Sequence, residues 1–155
     1  MEIQIISGFY GTGKTTFLNK YLPLLGGKTV VILNEFGEIS LDEDLIQNGT
    51  PVRELYAGCI CCSLAPILRK EIQTAVSEHR PDRLIIEPSG IGKLSDIAGV
   101  CVAEMDTETI VLVDLPTFEE CAESLGTFYL DQIRYAGLLL FSGLDGIGDE
   151  QQADL

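Results

Sequence analysis

Gly8-Phe9-Tyr10-Gly11-Thr12-Gly13-Lys14-Thr15 follows the apolar run Ile3-Gln4-Ile5-Ile6 and precedes a segment in which Phe17, Leu18, Tyr21, Leu22 and Leu25 share one helical face. The stretch satisfies G-x-x-x-x-G-K-[ST] at every position, with the strand before it and the amphipathic helix after it that the motif requires. Its glycines let backbone N–H groups converge on an anion without Cβ interference, and a helix starting near Lys14 adds the positive end of its dipole. Lys14 then reaches the β- and γ-phosphates, and the Thr15 hydroxyl is placed to ligate Mg²⁺. The residues assigned to a bound nucleotide are Gly8, Gly11, Thr12, Gly13, Lys14, Thr15 and Thr16. A glycine-rich turn with a surface lysine is the competing reading, and the complete motif in its full context outweighs it.

Outward from this loop, short β-branched runs alternate with helical-period segments. Strands are expected at Ile3–Ile6, Thr29–Leu33, Arg83–Glu87, Thr109–Asp114 and Gly137–Ser142, with a weaker one at Val52–Leu55. Most are apolar nearly throughout, as in strands covered on both faces. Leu64, Ile67, Leu68, Ile72, Ala75 and Val76 mark a second helix, with Pro66 tolerated in its first turn, and a third helical region runs from about Phe118 to Ala136, broken near Gly126. The expected fold is α/β, a three-layer P-loop NTPase with a mostly parallel central sheet. Residues 1–145 read as this nucleotide-binding domain and 146–155 as a flexible tail.

With 24 Asp and Glu against 10 Lys and Arg, the chain of 155 residues carries a formal charge of −14. Such a balance repels phosphate backbones and anionic lipid, which argues against nucleic acid and membrane surfaces as partners. No basic leader with an apolar run opens the sequence and no apolar stretch is long enough to span a bilayer, so a cytoplasmic location is expected. Thiols stay reduced there, and clustered cysteines are then metal-binding or reactive. Three of the five cysteines fall in Cys59-Ile60-Cys61-Cys62, after Gly58 and just before the helix at Leu64. Thiolates are soft ligands for Zn²⁺ and its neighbours, and a helix N-terminus favours the thiolate form. Cys59, Cys61 and Cys62 leave a tetrahedral ion one ligand short. Water, a carboxylate, a second copy of the chain (a homodimer) or a client protein can complete it, and an exchangeable site of this kind suits a carrier. Cys101 and Cys121 read as packing residues, and His79 as a helix-end residue.

A P-loop needs a second acidic group for Mg²⁺ at the end of a neighbouring strand. Glu87 ends Arg83–Glu87 and opens Glu87-Pro88-Ser89-Gly90, an E-x-x-G in which the carboxylate holds the Mg²⁺ shell and the Gly90 N–H faces the γ-phosphate. Asp114, at the end of Thr109–Asp114, is balanced between that role and a turn before Pro116. Lys14, Thr15, Glu87 and Gly90 are the residues expected to carry a hydrolytic reaction.

Taken together, Gly8–Thr16, Asn34-Glu35-Phe36-Gly37-Glu38, Gly58-Cys59-Ile60-Cys61-Cys62 and Ile86-Glu87-Pro88-Ser89-Gly90 resemble, in that order, the landmarks of the CobW-type metallochaperone GTPases, the P-loop group with HypB- and UreG-like relatives. The resemblance spans residues 3 to 115. It implies GTP hydrolysis coupled to loading or release of Zn²⁺, Co²⁺, Ni²⁺ or Fe at the C-x-C-C for an apo-metalloprotein client. It also implies a switch role for Asn34–Glu38, with Glu35 and Glu38 as metal or Mg²⁺ contacts beside the alternative of a solvated acidic loop. Three features depart from the family pattern. Leu33 stands where many members have a carboxylate. Ser142-Gly143-Leu144-Asp145 stands where guanine recognition uses N-K-x-D, so that Asp145 alone is kept for the base and ATP remains open beside GTP. The family's C-terminal domain has no counterpart, so the chain is either a fragment or a reduced member. With no arginine finger or water-orienting glutamine in view, slow basal turnover is expected. The alternatives are a non-hydrolysing nucleotide- and metal-binding regulatory module and an ATP-dependent activator of a metalloenzyme or corrinoid protein.

Overall fold

The computed structural model describes residues 1–33, 50–54, 64–90, 92–102 and 105–144. Within them the chain runs β1 (Glu2–Gly8), α1 (Lys14–Tyr21), β2 (Thr29–Leu33), β3 (Val52–Glu54), α2 (Leu64–His79), β4 (Arg83–Glu87), α3 (Leu94–Val102), β5 (Thr107–Asp114), α4 (Phe118–Leu125), α5 (Thr127–Arg134) and β6 (Leu138–Ser142). The six strands form one sheet in the order β3-β2-β4-β1-β5-β6, and every pairing in it is parallel. Parallel strands need crossovers, and right-handed crossovers running in opposite directions put their helices on opposite faces. The first crossovers run from β1 toward the β3 edge, the later ones back toward β6.

Side-chain alternation along the strands divides the core accordingly. Ile3, Ile5, Val30, Ile32, Leu84, Ile86, Val111 and Val113 face α2, α3 and α5. Ile6, Val31, Leu33, Ile85, Ile110 and Leu112 face α1 through Leu18 and Leu22. Each leucine or isoleucine fully withdrawn from water in these layers contributes about 1.5–3 kcal/mol before chain entropy is counted.

The expected strands at Thr29–Leu33 and Arg83–Glu87 are observed with those bounds, and β1 and β5 run slightly longer than the apolar runs suggested. The helix on Phe17–Leu25 is shorter than its apolar face implies. It ends at Tyr21, and a single 3₁₀ turn at Leu22–Leu24 carries Pro23. Proline has no N–H to give and its ring would strike the carbonyl four residues back. Gly126, at φ 53°, divides the Phe118–Ala136 region into α4 and α5, as expected. Helix α3 was not anticipated. Its buried Leu94, Ile97, Ala98 and Cys101 do fall at i, i+3, i+4 and i+7, but Gly99 interrupts a run short enough to pass for a connection. Burial pushes the Cys101 thiol up to about 12, so this cysteine is an inert packing residue.

Gly99 itself offers a direct check on α3. A Cβ there meets nothing within 4 Å, and glycine inside a helix is unfavourable relative to alanine. Gly99→Ala is expected to raise the unfolding free energy by about 0.5–1 kcal/mol, read from the urea midpoint at unchanged slope. A loss of stability would show that residues 94–102 are not helical.

Candidate functional site

The Gly8–Thr15 loop leaves the carboxyl end of β1 between two strands, β4 and β5, whose following helices lie on the other face of the sheet. A crevice outside strand ends, where neighbouring connections diverge, is where open α/β sheets bind ligands. The loop is wound about one carbonyl, that of Phe9. It accepts from the Thr12 amide at 3.4 Å, the Thr12 hydroxyl at 2.9 Å and the Lys14 ammonium at 3.2 Å. Gly11 and Gly13 hold φ of 79° and 91°, a region closed to most side chains, and Gly13 sits immediately before the first residue of α1. A Cβ built at either glycine meets nothing within 4 Å beyond its chain neighbours, so it is the backbone conformation and not crowding that calls for glycine at both positions. The first helical hydrogen bond runs from the Phe17 N–H to the Gly13 C=O at 2.8 Å, so the N–H groups of the first turn of α1 have no acceptor within the helix, the condition under which a helix start binds an anion.

Lys14 is buried to 6% exposure with its ammonium 6.0 Å from the centre of the Tyr10 ring, while Thr15 is half-buried and Thr16 exposed. Glu87 is 3% exposed at the end of β4, which excludes the plain solvent carboxylate that a strand end allows. Alternation places it on the same face as Ile85, the face covered by α1. Carboxylate and hydroxyl oxygens are the hard donors Mg²⁺ takes, so the chemistry of Glu87 and Thr15 fits that ion. Asp114 instead serves its own turn: its Oδ2 accepts from the Thr117 hydroxyl at 2.8 Å and its Oδ1 from Ser142 at 3.4 Å.

Beyond Glu87 the chain presses against the loop. A Cβ built at Gly90 would lie 3.0 Å from the Tyr10 nitrogen, 3.1 Å from the Phe9 carbonyl carbon and 3.2 Å from the Gly8 oxygen. The E-x-x-G segment and the phosphate loop are thus in backbone contact. From the other side β6 ends at Ser142, whose hydroxyl donates toward the Thr12 carbonyl at 3.4 Å. The stretch expected to meet a nucleotide base therefore starts beside the loop. Gly143, at φ 77°, has Pro116 Cδ only 2.5 Å from where a Cβ would stand, so the lysine of N-K-x-D has no room there.

The family profile described as CobW/HypB/UreG, nucleotide-binding domain, matches residues 2–155. The chain belongs to this family. Among curated members it is 31% identical to the zinc chaperone YjiA of Escherichia coli (strain K12), over 98% of this chain and 52% of that protein. It is 28% identical to the zinc-regulated GTPase metalloprotein activator 1 of Dictyostelium discoideum, over 97% of this chain and 41% of that protein. The chain therefore spans about half or less of these relatives. Among solved structures, HypB from Archaeoglobus fulgidus superposes at a TM-score of 0.72 with 17% identity, covering 99% of this chain and 74% of that one. HypB from Helicobacter pylori, solved with nickel, does so at 0.67 with 18% identity, covering 96% of this chain and 69% of that one. At that identity these two establish the shared P-loop fold.

Cys59, Cys61, Cys62, Glu35, Glu38 and Asp145 lie outside the described residues. Among the described residues no group of three or more His, Cys, Asp or Glu side chains could hold a metal ion, and no helix is long and apolar enough to cross a membrane. A concavity of about 280 Å³ lined by Glu2, Gln4, Asp106 and Glu108 lies at the amino ends of β1 and β5, the wrong end of the sheet and the wrong charge for phosphate. Sequence reasoning missed Gln132, which is 2% exposed on α5 and hydrogen-bonded to both Ser7 and Gly90. The signal was available: a glutamine three residues after Tyr129 and one before Ile133, on the apolar side of a helix.

Proposed function

We propose that the chain is the nucleotide-binding domain of a GTP-hydrolysing metallochaperone. The nucleotide state of the Gly8–Thr15 loop would gate delivery of a transition metal, zinc first, from Cys59, Cys61 and Cys62 to an apo-metalloprotein client. The observation that carries this reading is the backbone contact of Gly90 with the phosphate loop, next to the buried carboxylate of Glu87. A γ-phosphate entering the loop must meet this segment, so its presence or loss has a mechanical consequence. Relatives named zinc chaperones and zinc-regulated GTPase metalloprotein activators support zinc as the first metal to test and GTP hydrolysis as the reaction class.

Lys14 and the loop amides would hold the phosphates. Thr15 and Glu87 would hold Mg²⁺, which neutralises charge on the phosphate oxygens when bound, with Glu35 and Glu38 as further metal contacts. Positioning and electrostatics are what phosphoryl transfer asks of a protein, and a missing arginine finger is worth on the order of 10³–10⁵ in rate. Slow basal turnover follows. A link to the cysteines is supported by Arg53 of β3, whose guanidinium reaches Glu71 at 3.1 Å and Glu78 at 2.7 Å on α2. The segment from 55 to 63, with its three thiols, thus begins and ends on elements that are tied together. Coupling requires only that metal affinity differ between nucleotide states. The Gly143 site, closed to lysine, leaves the guanine motif incomplete, which keeps ATP as the second reading of the nucleotide.

Phosphate release with GTP and with ATP, with and without Zn²⁺ or Co²⁺, tests the proposal. Expected is slow release with GTP that rises with Zn²⁺, the rise disappearing in Cys61→Ser. Release indifferent to metal and to Cys61→Ser removes the coupling. No release with either nucleotide leaves a binding module, and faster release with ATP reassigns the base.

A further inference from the structure

The E-x-x-G segment is held from behind by α5. Gln132 lies at the meeting point of three elements that are distant in sequence. Its Oε1 accepts from the Ser7 hydroxyl at 3.2 Å, and its Nε2 donates to the Gly90 carbonyl at 3.0 Å and toward the Gly92 carbonyl at 3.5 Å. Ser7, itself 1% exposed, is the residue before the first glycine of the phosphate loop. One amide therefore uses its acceptor on the strand that carries the cradle and its donors on the loop that closes over it.

The neighbouring residues on α5 extend the same grip. Asp131 Oδ2 accepts the Ser95 N–H at 3.0 Å, which caps the start of α3 just beyond the E-x-x-G loop. Tyr129, 4% exposed, sets its ring edge-on to Phe9 with 6.0 Å between centres. Helix α5 thus touches the phosphate loop through Tyr129, its strand through Gln132, and both ends of the segment after Glu87 through Gln132 and Asp131. A buried amide with satisfied partners is costly to leave half-made and specifies one arrangement of the groups it joins.

We propose that Gln132 is a positioning residue: its amide ties the E-x-x-G loop to the Ser7 end of the phosphate cradle and so sets how that loop responds to a γ-phosphate. The inference rests on the nucleotide reading above for its consequence, but the tie itself is a property of the chain without nucleotide. Losing it frees the Gly90 and Gly92 carbonyls from their common donor. The loop then samples positions away from the cradle, and binding of a triphosphate must reorder it, whereas a diphosphate does not call on it.

The test compares the full chain with Gln132→Met, which keeps length and bulk, and with Ser7→Ala, which removes only the strand end of the bridge. Hydrogen exchange is followed without nucleotide, and affinities are measured for GDP and a non-hydrolysable GTP analogue. In Gln132→Met, exchange in the peptide covering residues 86–93 should rise by about tenfold while β1 and β5 peptides keep their rates, as expected for one lost buried hydrogen bond. The analogue-to-GDP affinity ratio should fall by a similar factor, and Ser7→Ala should move both in the same direction by less. Wild-type exchange in 86–93, or a wild-type affinity ratio, overturns the proposal. So does a uniform rise across the sheet with equal loss of both nucleotides, since that marks Gln132 as a core residue only. Failure of the unmodified chain to bind either nucleotide overturns the functional reading, and it is seen in a different arm from the loop exchange that judges the tie.

Discussion

Lys14→Ala is expected to lower affinity for a guanosine triphosphate by on the order of 100-fold, about 3 kcal/mol, with the fold intact. The size of the effect comes from where the charge is held. The ammonium is not a solvated tip: it donates to the Phe9 carbonyl at 3.2 Å inside the loop, and its stem is buried. Charged hydrogen bonds made at low exposure are worth roughly twice neutral ones, and burial of the stem already limits the rotamers open to this side chain. The chain's formal charge of −14 sharpens the contrast, because a phosphate approaching without this cation meets net repulsion. The diphosphate should lose less, since the lysine of this motif reaches the β- and γ-groups. Stability should change by no more than about 1 kcal/mol, because the Phe9 carbonyl keeps the Thr12 amide and hydroxyl as donors. Equilibrium titration with fluorescent tri- and diphosphates reads the result, and a change below about threefold with native circular dichroism would remove the phosphate role of this loop.

Why the loop was legible in sequence and its neighbours were not is a matter of range. The loop is eight consecutive residues that satisfy G-x-x-x-x-G-K-[ST], with Gly11 and Gly13 at positive φ, so the pattern is local. The four inner strands β2, β4, β1 and β5 were legible because each is a short apolar run buried along most of its length, and the parallel arrangement followed from the alternation with helices. The shape around the cradle depends instead on contacts that no local pattern announces. Ser7 meets Gln132 across 125 positions, and Ser142 meets Thr12 across 130. The same limit explains Glu87. Its place after Leu84-Ile85-Ile86 suggested a role, but burial of the carboxylate follows from β4 lying between β2 and β1, a sheet order the sequence does not state. Gly143 shows the converse: loss of the consensus lysine is plain in the sequence, while the reason it cannot return is the ring of Pro116, 27 residues earlier in the chain.

Gly90→Ala is expected to slow nucleotide hydrolysis by on the order of 10- to 100-fold while leaving diphosphate affinity within about threefold. No positive φ is involved at this position; what matters is space. The three nearest atoms to an added Cβ, at 3.0 to 3.2 Å, are all main-chain atoms of Gly8, Phe9 and Tyr10. A flexible side chain would swing aside, but backbone can yield only by moving the cradle or the E-x-x-G loop by a few tenths of an ångström. The sheet holds the cradle, with Gly8 in register beside Leu112, so the loop is the part that gives. The Gly90 N–H then stands away from where a γ-phosphate would sit, and displacements of this order are enough to lose much of the benefit of prior positioning. A diphosphate makes no use of that N–H, which separates the outcome from general damage. The overpacking itself should cost about 1–3 kcal/mol of stability, so rates are to be compared well below the unfolding transition. Gly99→Ala provides the control for adding a methyl group in the same region of chain without a backbone contact. Hydrolysis by Gly90→Ala at the unmodified rate would mean that the close approach seen here has no part in the reaction.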